Sequence, residues 1–305
     1  MENLDKNFKS GFVSIIGRTN VGKSTLLNNL IKEDVSITAN KPQTTRLAIR
    51  AIANRENSQI IFIDTPGIHK PKSKLSETMV DTAFASLQDV DVILFMVEAT
   101  SKGIGKGDTY ILEKLKEKHK KVILIINKID LVEKESLFKI IEEYSKQYDF
   151  SSVIPIEATK GKYAETVLNE IEKLLKPGPR YYEEDEYTDQ TSRQITEEKI
   201  REKALRFLNE EVPHGIYVEV SKFKYRKTTK KEEIYDIDAT IYCKRESHKG
   251  IIIGKDGQML KKIGQCARYD LEKILGTKIN LKLWVKVDNK WDENTQILKK
   301  FKYAK

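Results

Sequence analysis

The sequence predicts an α/β domain built on a mostly parallel sheet with helices on both faces, followed by a smaller α+β domain. Three observations carry this reading. The first 176 residues alternate short apolar runs with amphipathic stretches, Pro177-Gly178-Pro179 breaks that rhythm, and the basic excess gathers after residue 240. At 305 residues the chain has room for two cores, since domains run to about 100–200 residues.

Taken in order, Phe12–Ile16, Ile60–Ile63, Val90–Val97, Val122–Ile126 and Val153–Ile156 have the length and β-branched content of buried strands. Between them Lys23–Ile31, Lys74–Leu87, Gly107–Lys118, Ser136–Tyr144 and Tyr163–Leu175 read as helices. Such alternation implies parallel strands joined by helical crossovers. Leu47–Ala53 reads as an added strand, antiparallel to its neighbour. The acidic stretch Tyr181–Asp189 reads as a linker, which sets the expected domains at 1–180 and 193–305 with 181–192 between them. Beyond it come a helix around Glu197–Glu210, strands at Gly215–Lys224 and Glu232–Cys243, a helix–turn–helix over Lys249–Leu275 and a strand at Lys278–Val287.

Charge is divided unevenly. Residues 1–180 carry 28 basic and 24 acidic side chains, 181–240 carry 11 and 15, and 241–305 carry 16 and 7. The last segment alone matches the net +9 of the whole chain, which points to a polyanionic partner for the second domain. Apolar runs such as Val92–Val97 are far too short to span a bilayer. No apolar segment follows the polar start MENLDKNFKS, so no secretory signal is expected, and Cys243 and Cys266 form no zinc or disulfide pattern. A soluble cytoplasmic protein is expected.

Gly17-Arg18-Thr19-Asn20-Val21-Gly22-Lys23-Ser24 fits Gly-x-x-x-x-Gly-Lys-Ser/Thr between a strand and a helix, the setting of a phosphate-binding loop. Backbone N–H groups and the helix N-terminus would cradle phosphates, Lys23 would reach the β- and γ-phosphates, and Ser24 would ligate Mg²⁺. Gly17, Asn20, Val21, Gly22, Lys23, Ser24 and Thr25 are the expected nucleotide-binding residues here. Asp64-Thr65-Pro66-Gly67 ends the next strand; its carboxylate suits Mg²⁺ and the Gly67 N–H suits a γ-phosphate. Asn127-Lys128-Ile129-Asp130 ends a later strand. Asp130 can accept two hydrogen bonds from guanine that adenine cannot donate, so GTP is expected over ATP. In that arrangement Asn127 braces the loops and the Lys128 stem packs on the purine. Within Asn40-Lys41-Pro42-Gln43-Thr44-Thr45-Arg46, Thr45 is the favoured Mg²⁺ ligand and γ-phosphate sensor, with Thr44 as the alternative.

These four elements resemble the translation-factor-like GTPases. With Asp64-Thr65-Pro66-Gly67-Ile68-His69, Ile200-Arg201-Glu202-Lys203 and Glu211-Val212-Pro213-His214, the chain resembles the bacterial Era family over nearly its full length. The resemblance implies a P-loop GTPase domain and a type II KH domain. It implies binding to the 3′ end of small-subunit (16S) ribosomal RNA, a role in small ribosomal subunit maturation, and peripheral association with the inner membrane. A monomer is expected. Where the family usually has Ser-Ala facing the guanine carbonyl, this chain has Glu157-Ala158; the Ala158 amide is retained and the loop-bracing hydroxyl is lost.

Lys23, Thr45 and Gly67 are the expected catalytic positions. The residue after Asp64-Thr65-Pro66-Gly67, where related switches place a water-orienting glutamine, is Ile68. Slow intrinsic hydrolysis follows, resting on phosphate positioning and Mg²⁺. Asn20 has two readings, a ligand for K⁺ or a brace within the loop.

Gly254-Lys255-Asp256-Gly257 is the chain's one Gly-x-x-Gly, set after Ile251-Ile252-Ile253 and before an amphipathic helix. In a KH domain this loop presses its backbone against nucleotides. Lys249, Lys255, Lys261 and Lys262 surround it and can meet phosphates. Asp256 departs from the glycine or basic residue usual there, and pointing into solvent would relieve it. Ile251–Ile253 has two readings, core or the lining of a base-binding groove, and core is favoured. Lys299, Lys300, Lys302 and Lys305 suit RNA, an anionic membrane surface or a solvated tail equally. The competing function is an RNA- or membrane-tethering module whose nucleotide site is only structural.

Overall fold

The computed structural model describes residues 7–39, 41, 44–71, 73–227 and 232–300. Pro42, Gln43, Lys302 and Lys305 lie outside the described residues, as do Asn40 and the side chain of Lys300. The chain divides into two compact units, Met1–Ser36 with Thr45–Asp189, and Ile37–Thr44 with Gln190–Lys305.

In the first unit β1 (Lys9–Gly17), β2 (Ile49–Asn54), β3 (Ser58–Asp64), β4 (Val92–Glu98), β5 (Lys121–Asn127) and β6 (Ser152–Pro155) form one sheet, in the order β2-β3-β1-β4-β5-β6. Every neighbouring pair is parallel except β2 with β3. Alternation along each strand sends successive side chains to opposite faces. Leu94 and Ile123 therefore join the core beneath α1 (Lys23–Ile31) and α5 (Ala164–Leu174), with Leu27 and Ile171. Ile93, Phe95 and Leu124 join the opposite core with residues of α2 (Lys74–Ala85), α3 (Lys106–Lys116) and α4 (Lys134–Ser145), among them Ala83, Ile111 and Tyr144. β1 lies between β3 and β4, so the sheet order reverses beside it, and the loop leaving β1 opens at the crevice where such sheets bind ligands.

Residues 181–189, read above as linker, run along the β2 side of this sheet. The Ile52 N–H donates to the Tyr187 carbonyl at 3.0 Å, and the Thr188 hydroxyl to that of Arg50 at 2.9 Å. Gln59 Oε1 accepts the N–H groups of Tyr181 and Tyr182 at 2.7 and 3.0 Å.

The second unit holds α6 (Ser192–Phe207), β7 (Ile216–Lys227), β8 (Glu233–Cys243), α7 (Glu246–Ile253), α8 (Gln258–Leu275), β9 (Lys278–Val287) and α9 (Thr295–Lys300). Its sheet runs β7-β8-β9, with β7 antiparallel and β9 parallel to β8. Ile237, Ala239 and Ile241 of β8 pack with Ile200 and Ala204 of α6 and Ile263, Ala267 and Leu271 of α8. The α6 helix starts five residues before the apolar pattern suggested, because Thr191 and Gln194 cap it reciprocally. It ends at Phe207, not Glu210. Its buried charges are paired: Arg201 with Glu198 at 2.6 Å, Lys199 with Glu202 at 3.3 Å, and Lys203 with Asp270. The expectation that Ile251–Ile253 is core is corrected. Ile252 is fully buried but Ile251 is 50 % exposed, since successive helical residues sit about 100° apart and cannot share one face.

Glu197 is the electrostatic weak point of α6. Burial pushes its carboxyl up to about 7, against the Val220 N–H it accepts at 3.0 Å. Between the unfolded value near 4.5 and about 7 the folded chain holds more protons, so stability falls as pH rises through that window. Glu197→Gln, which keeps an acceptor without the charge, is expected to gain about 2 kcal/mol at pH 8 and little at pH 4.5. Urea unfolding at the two pH values measures this; an equal gain at both would contradict it.

Candidate nucleotide site and nucleic-acid loop

The phosphate-loop lysine is buried. Lys23 Nζ donates to the carbonyls of Gly17 at 3.2 Å and Arg18 at 2.9 Å. Burial pulls its pKa down to about 8, with Asp64 opposing the fall. Asn20, with φ 63°, is exposed, and Thr25 is half-buried on the first turn of α1. Gly67 presses on the same loop, so closely that a Cβ there would sit 2.6 Å from Thr19 Cα.

Ser24, Thr45 and Asp64 converge. Ser24 Oγ lies 2.8 Å from Thr45 Oγ1 and donates to Asp64 Oδ2 at 2.9 Å. The Thr44 hydroxyl instead donates to the carbonyls of Ala39 and Lys41 at 3.2 and 2.6 Å. Burial pushes the Asp64 carboxyl up, against Lys23 and the hydroxyls of Ser36, Ser24 and Thr45. Its Oδ1 is buried without a hydrogen-bond partner. An unpartnered carboxylate oxygen beside two hydroxyls is an oxygen-only donor set, which fits a hard cation such as Mg²⁺. Among the described residues no group of three or more His, Cys, Asp or Glu could hold a metal.

At the base side, Asn127 Nδ2 donates to the Val21 carbonyl at 2.8 Å, tying the Asn127 loop to the phosphate loop. Asp130 is exposed in the turn Ile129–Leu131 that follows β5, and the Lys128 ammonium pairs with Glu98. Ala158 N–H, expected to face a guanine carbonyl, donates here to Asn127 Oδ1 at 3.0 Å. Glu157 is buried and pairs with Lys160 at 2.7 Å.

In the second unit the Gly-x-x-Gly loop joins α7 to α8. Gly254 has φ 72° and ψ 174°, Asp256 φ 51° and Gly257 φ 73°. Lys255, Asp256 and Lys261 are exposed. Lys249 pairs with Glu246 at 3.6 Å, and Lys262 Nζ sits 4.3 Å over the Phe207 ring.

Residues 12–128 match the family model of the 50S ribosome-binding GTPases, and residues 211–292 that of the KH domain. The chain is 56 % identical over 297 residues to GTPase Era of Caldanaerobacter subterraneus subsp. tengcongensis, covering 97 % of this chain and 98 % of that relative. The chain belongs to the Era GTPase family. Era of Clostridium tetani is 52 % identical, with 97 % and 99 % covered. The crystal structure of an Era bound to MgGDPNP and nucleotides 1506–1542 of 16S ribosomal RNA matches with TM-score 0.93 at 41 % identity, covering 98 % of this chain and all of that one. A variant of Aquifex aeolicus Era bound to GDP·AlF₄⁻ matches with TM-score 0.92 at 40 % identity and the same coverage.

Against this Era background, sequence reading missed three residues. Ser36 Oγ donates to Asp64 Oδ2 at 2.8 Å, and Asn28 holds Ser36 by accepting its N–H and donating to its carbonyl, at 2.9 and 2.8 Å. Arg18, inside the phosphate loop, donates to Asp108 at 3.0 Å and Ser101 at 2.9 Å. None carries a motif of its own. Ile68, at the position where related switches carry a water-orienting glutamine, is buried in the core with its N–H on the Gly17 carbonyl at 3.0 Å.

Proposed function

We propose that this Era-family GTPase is a slow guanine-nucleotide switch that binds the 3′ end of small-subunit ribosomal RNA through its KH domain and assists small-subunit maturation. The observation that carries it is the pairing, on one chain, of the Ser24–Thr45–Asp64 cluster with a Gly254–Gly257 loop in KH topology. The Era structure holding nucleotides 1506–1542 supports the RNA reading. The basic excess of residues 241–305 gives that domain the charge a phosphate backbone needs.

Mg²⁺, when bound, supplies positive charge that offsets what accumulates on the transferring phosphoryl group. Ser24, Thr45 and Asp64 are the side chains that would hold it. Lys23 would turn its ammonium from the loop carbonyls to the β- and γ-phosphates, and phosphate charge favours its protonated form. The Gly67 N–H would meet the γ-phosphate, and Asp130 would read the guanine edge. No side chain at Ile68 orients water, so hydrolysis rests on positioning and fixed charge, and turnover is slow. Asn20 is the residue that would take K⁺. No helix among the described residues is long and apolar enough to cross a membrane; peripheral contact would fall to the C-terminal lysines.

Crosslinking the full chain to cellular RNA, once with a GTP analogue and once with GDP, tests this reading. Crosslinks should centre on the 3′ end of the small-subunit RNA, change with nucleotide, and drop at least tenfold in a Gly257→Asp variant. Crosslinks unaltered by that substitution would overturn the KH assignment. Absence of phosphate release from GTP would leave only the tethering function.

A further inference from the structure

Ala158 is held on both sides of its peptide. Its N–H donates to Asn127 Oδ1 at 3.0 Å, and its carbonyl accepts from Asn29 Nδ2 at 2.7 Å. The same Asn29 amide donates to the Thr25 carbonyl on α1 at 2.9 Å. With Asn127 Nδ2 on the Val21 carbonyl, the bonds close a circuit from phosphate loop to Asn127, to Ala158, to Asn29, and back to the helix that begins with Lys23 and Ser24. Gly161 closes the Ala158 turn directly against this side chain; a Cβ there would meet Asn29 Oδ1 at 2.8 Å. Glu157 stands where a bracing hydroxyl is expected and turns to Lys160 instead. The brace on the base loop therefore comes from α1.

We propose that Asn29 is a positioning residue for guanine-nucleotide retention: its amide locks the Ala158 loop to α1, and so sets how long the nucleotide stays bound. This rests on the guanine-nucleotide reading of the site. Asn29 touches neither the Ser24–Thr45–Asp64 cluster nor Lys23, so it acts on residence and not on the phosphoryl step. Of the two neutral hydrogen bonds lost on truncation, only the one to Ala158 ties the base loop to α1, which corresponds to roughly 2- to 13-fold faster release. A carboxylate in the same place faces two carbonyls and does more.

The test measures release of a fluorescent GDP analogue and single-turnover hydrolysis of preloaded GTP in the full-length chain. Asn29→Asp and Asn29→Ala should speed release at least twofold and leave single-turnover hydrolysis within twofold of the parent. Asn29→Gln, which retains the donor, should recover part of the lost residence time. Release unchanged in both Asn29→Asp and Asn29→Ala overturns the proposal. So does hydrolysis slowed in step with release, because that reports a general loosening of α1. Should Asn29→Asp fail to fold, Asn29→Ala alone decides by the same two readouts. A parent protein that does not prefer GDP to ADP would instead sink the guanine reading.

Discussion

Asp130→Asn is expected to move nucleotide preference from guanine towards xanthine. The Asp130 carboxylate stands exposed just past β5, where, on the guanine-nucleotide reading proposed above, it would accept from the ring N–H and exocyclic amine of guanine. Each hydrogen bond to a charged group is worth about 1.5–3 kcal/mol, so losing the pair weakens GDP binding by roughly 10²- to 10⁴-fold. Xanthine carries a carbonyl where guanine carries the amine, and an asparagine amide can donate to it. The substitution should hold the fold, because the neighbouring bracing falls to Asn127 and the Lys128–Glu98 pair. Competition titrations with GDP and XDP measure the change. A variant that still prefers GDP would remove Asp130 from the base site.

Gly254→Ala should unfold the second unit far more readily than Gly257→Ala does, although both glycines have positive φ. At φ 72° and ψ 174° Gly254 occupies backbone space open essentially to glycine alone. A Cβ there would also sit 2.7 Å from Met259 Cβ and 3.0 Å from Met259 N, at the start of α8. Strain and overlap together cost about 3 kcal/mol. Gly257, at φ 73° and ψ 10°, lies in the left-handed helical region, and a Cβ there meets nothing within 4 Å. Its loss is about 1 kcal/mol. Urea unfolding of the two variants should separate them by about 2 kcal/mol, and equal losses would show that the loop relaxes at Gly254. Gly257→Ala thus leaves a folded domain in which effects on RNA binding can be measured apart from stability.

The parts of this molecule legible in its sequence are those where burial is continuous. The strands of the first unit are read correctly to within a few residues because both faces of a parallel sheet are apolar. The phosphate loop is read because glycine, lysine and serine recur at fixed spacing for a chemical reason. Helix α6 resists the same reading. Its apolar pattern is faint because Lys199, Arg201, Glu202 and Lys203 are buried in ion pairs, and hydropathy scores a paired buried charge like a solvated one. Thr45 and Thr44 are chemically alike and adjacent, so only geometry separates them: one hydroxyl meets Ser24, the other its own loop. Ser36, Asn28 and Asn29 are single polar residues; Ser36 and Asn29 reach distant segments and Asn28 holds the loop that follows its own helix, and none of them stands in a recognisable motif.

The strip of chain at 181–189 fixes where this protein can be divided. A fragment ending at residue 180, where the composition break invites a cut, would strip Ile52 and Arg50 of their partners at Tyr187 and Thr188. It would bare the outer side of β2, a strand with Ile49, Ile52 and two alanines. Bare strand edges recruit other chains, so such a fragment is expected to aggregate. The same domain extended through Asp189 keeps its edge sealed and its acidic side chains outward. In this family member the stretch that looks like a tether doubles as a guard against self-association.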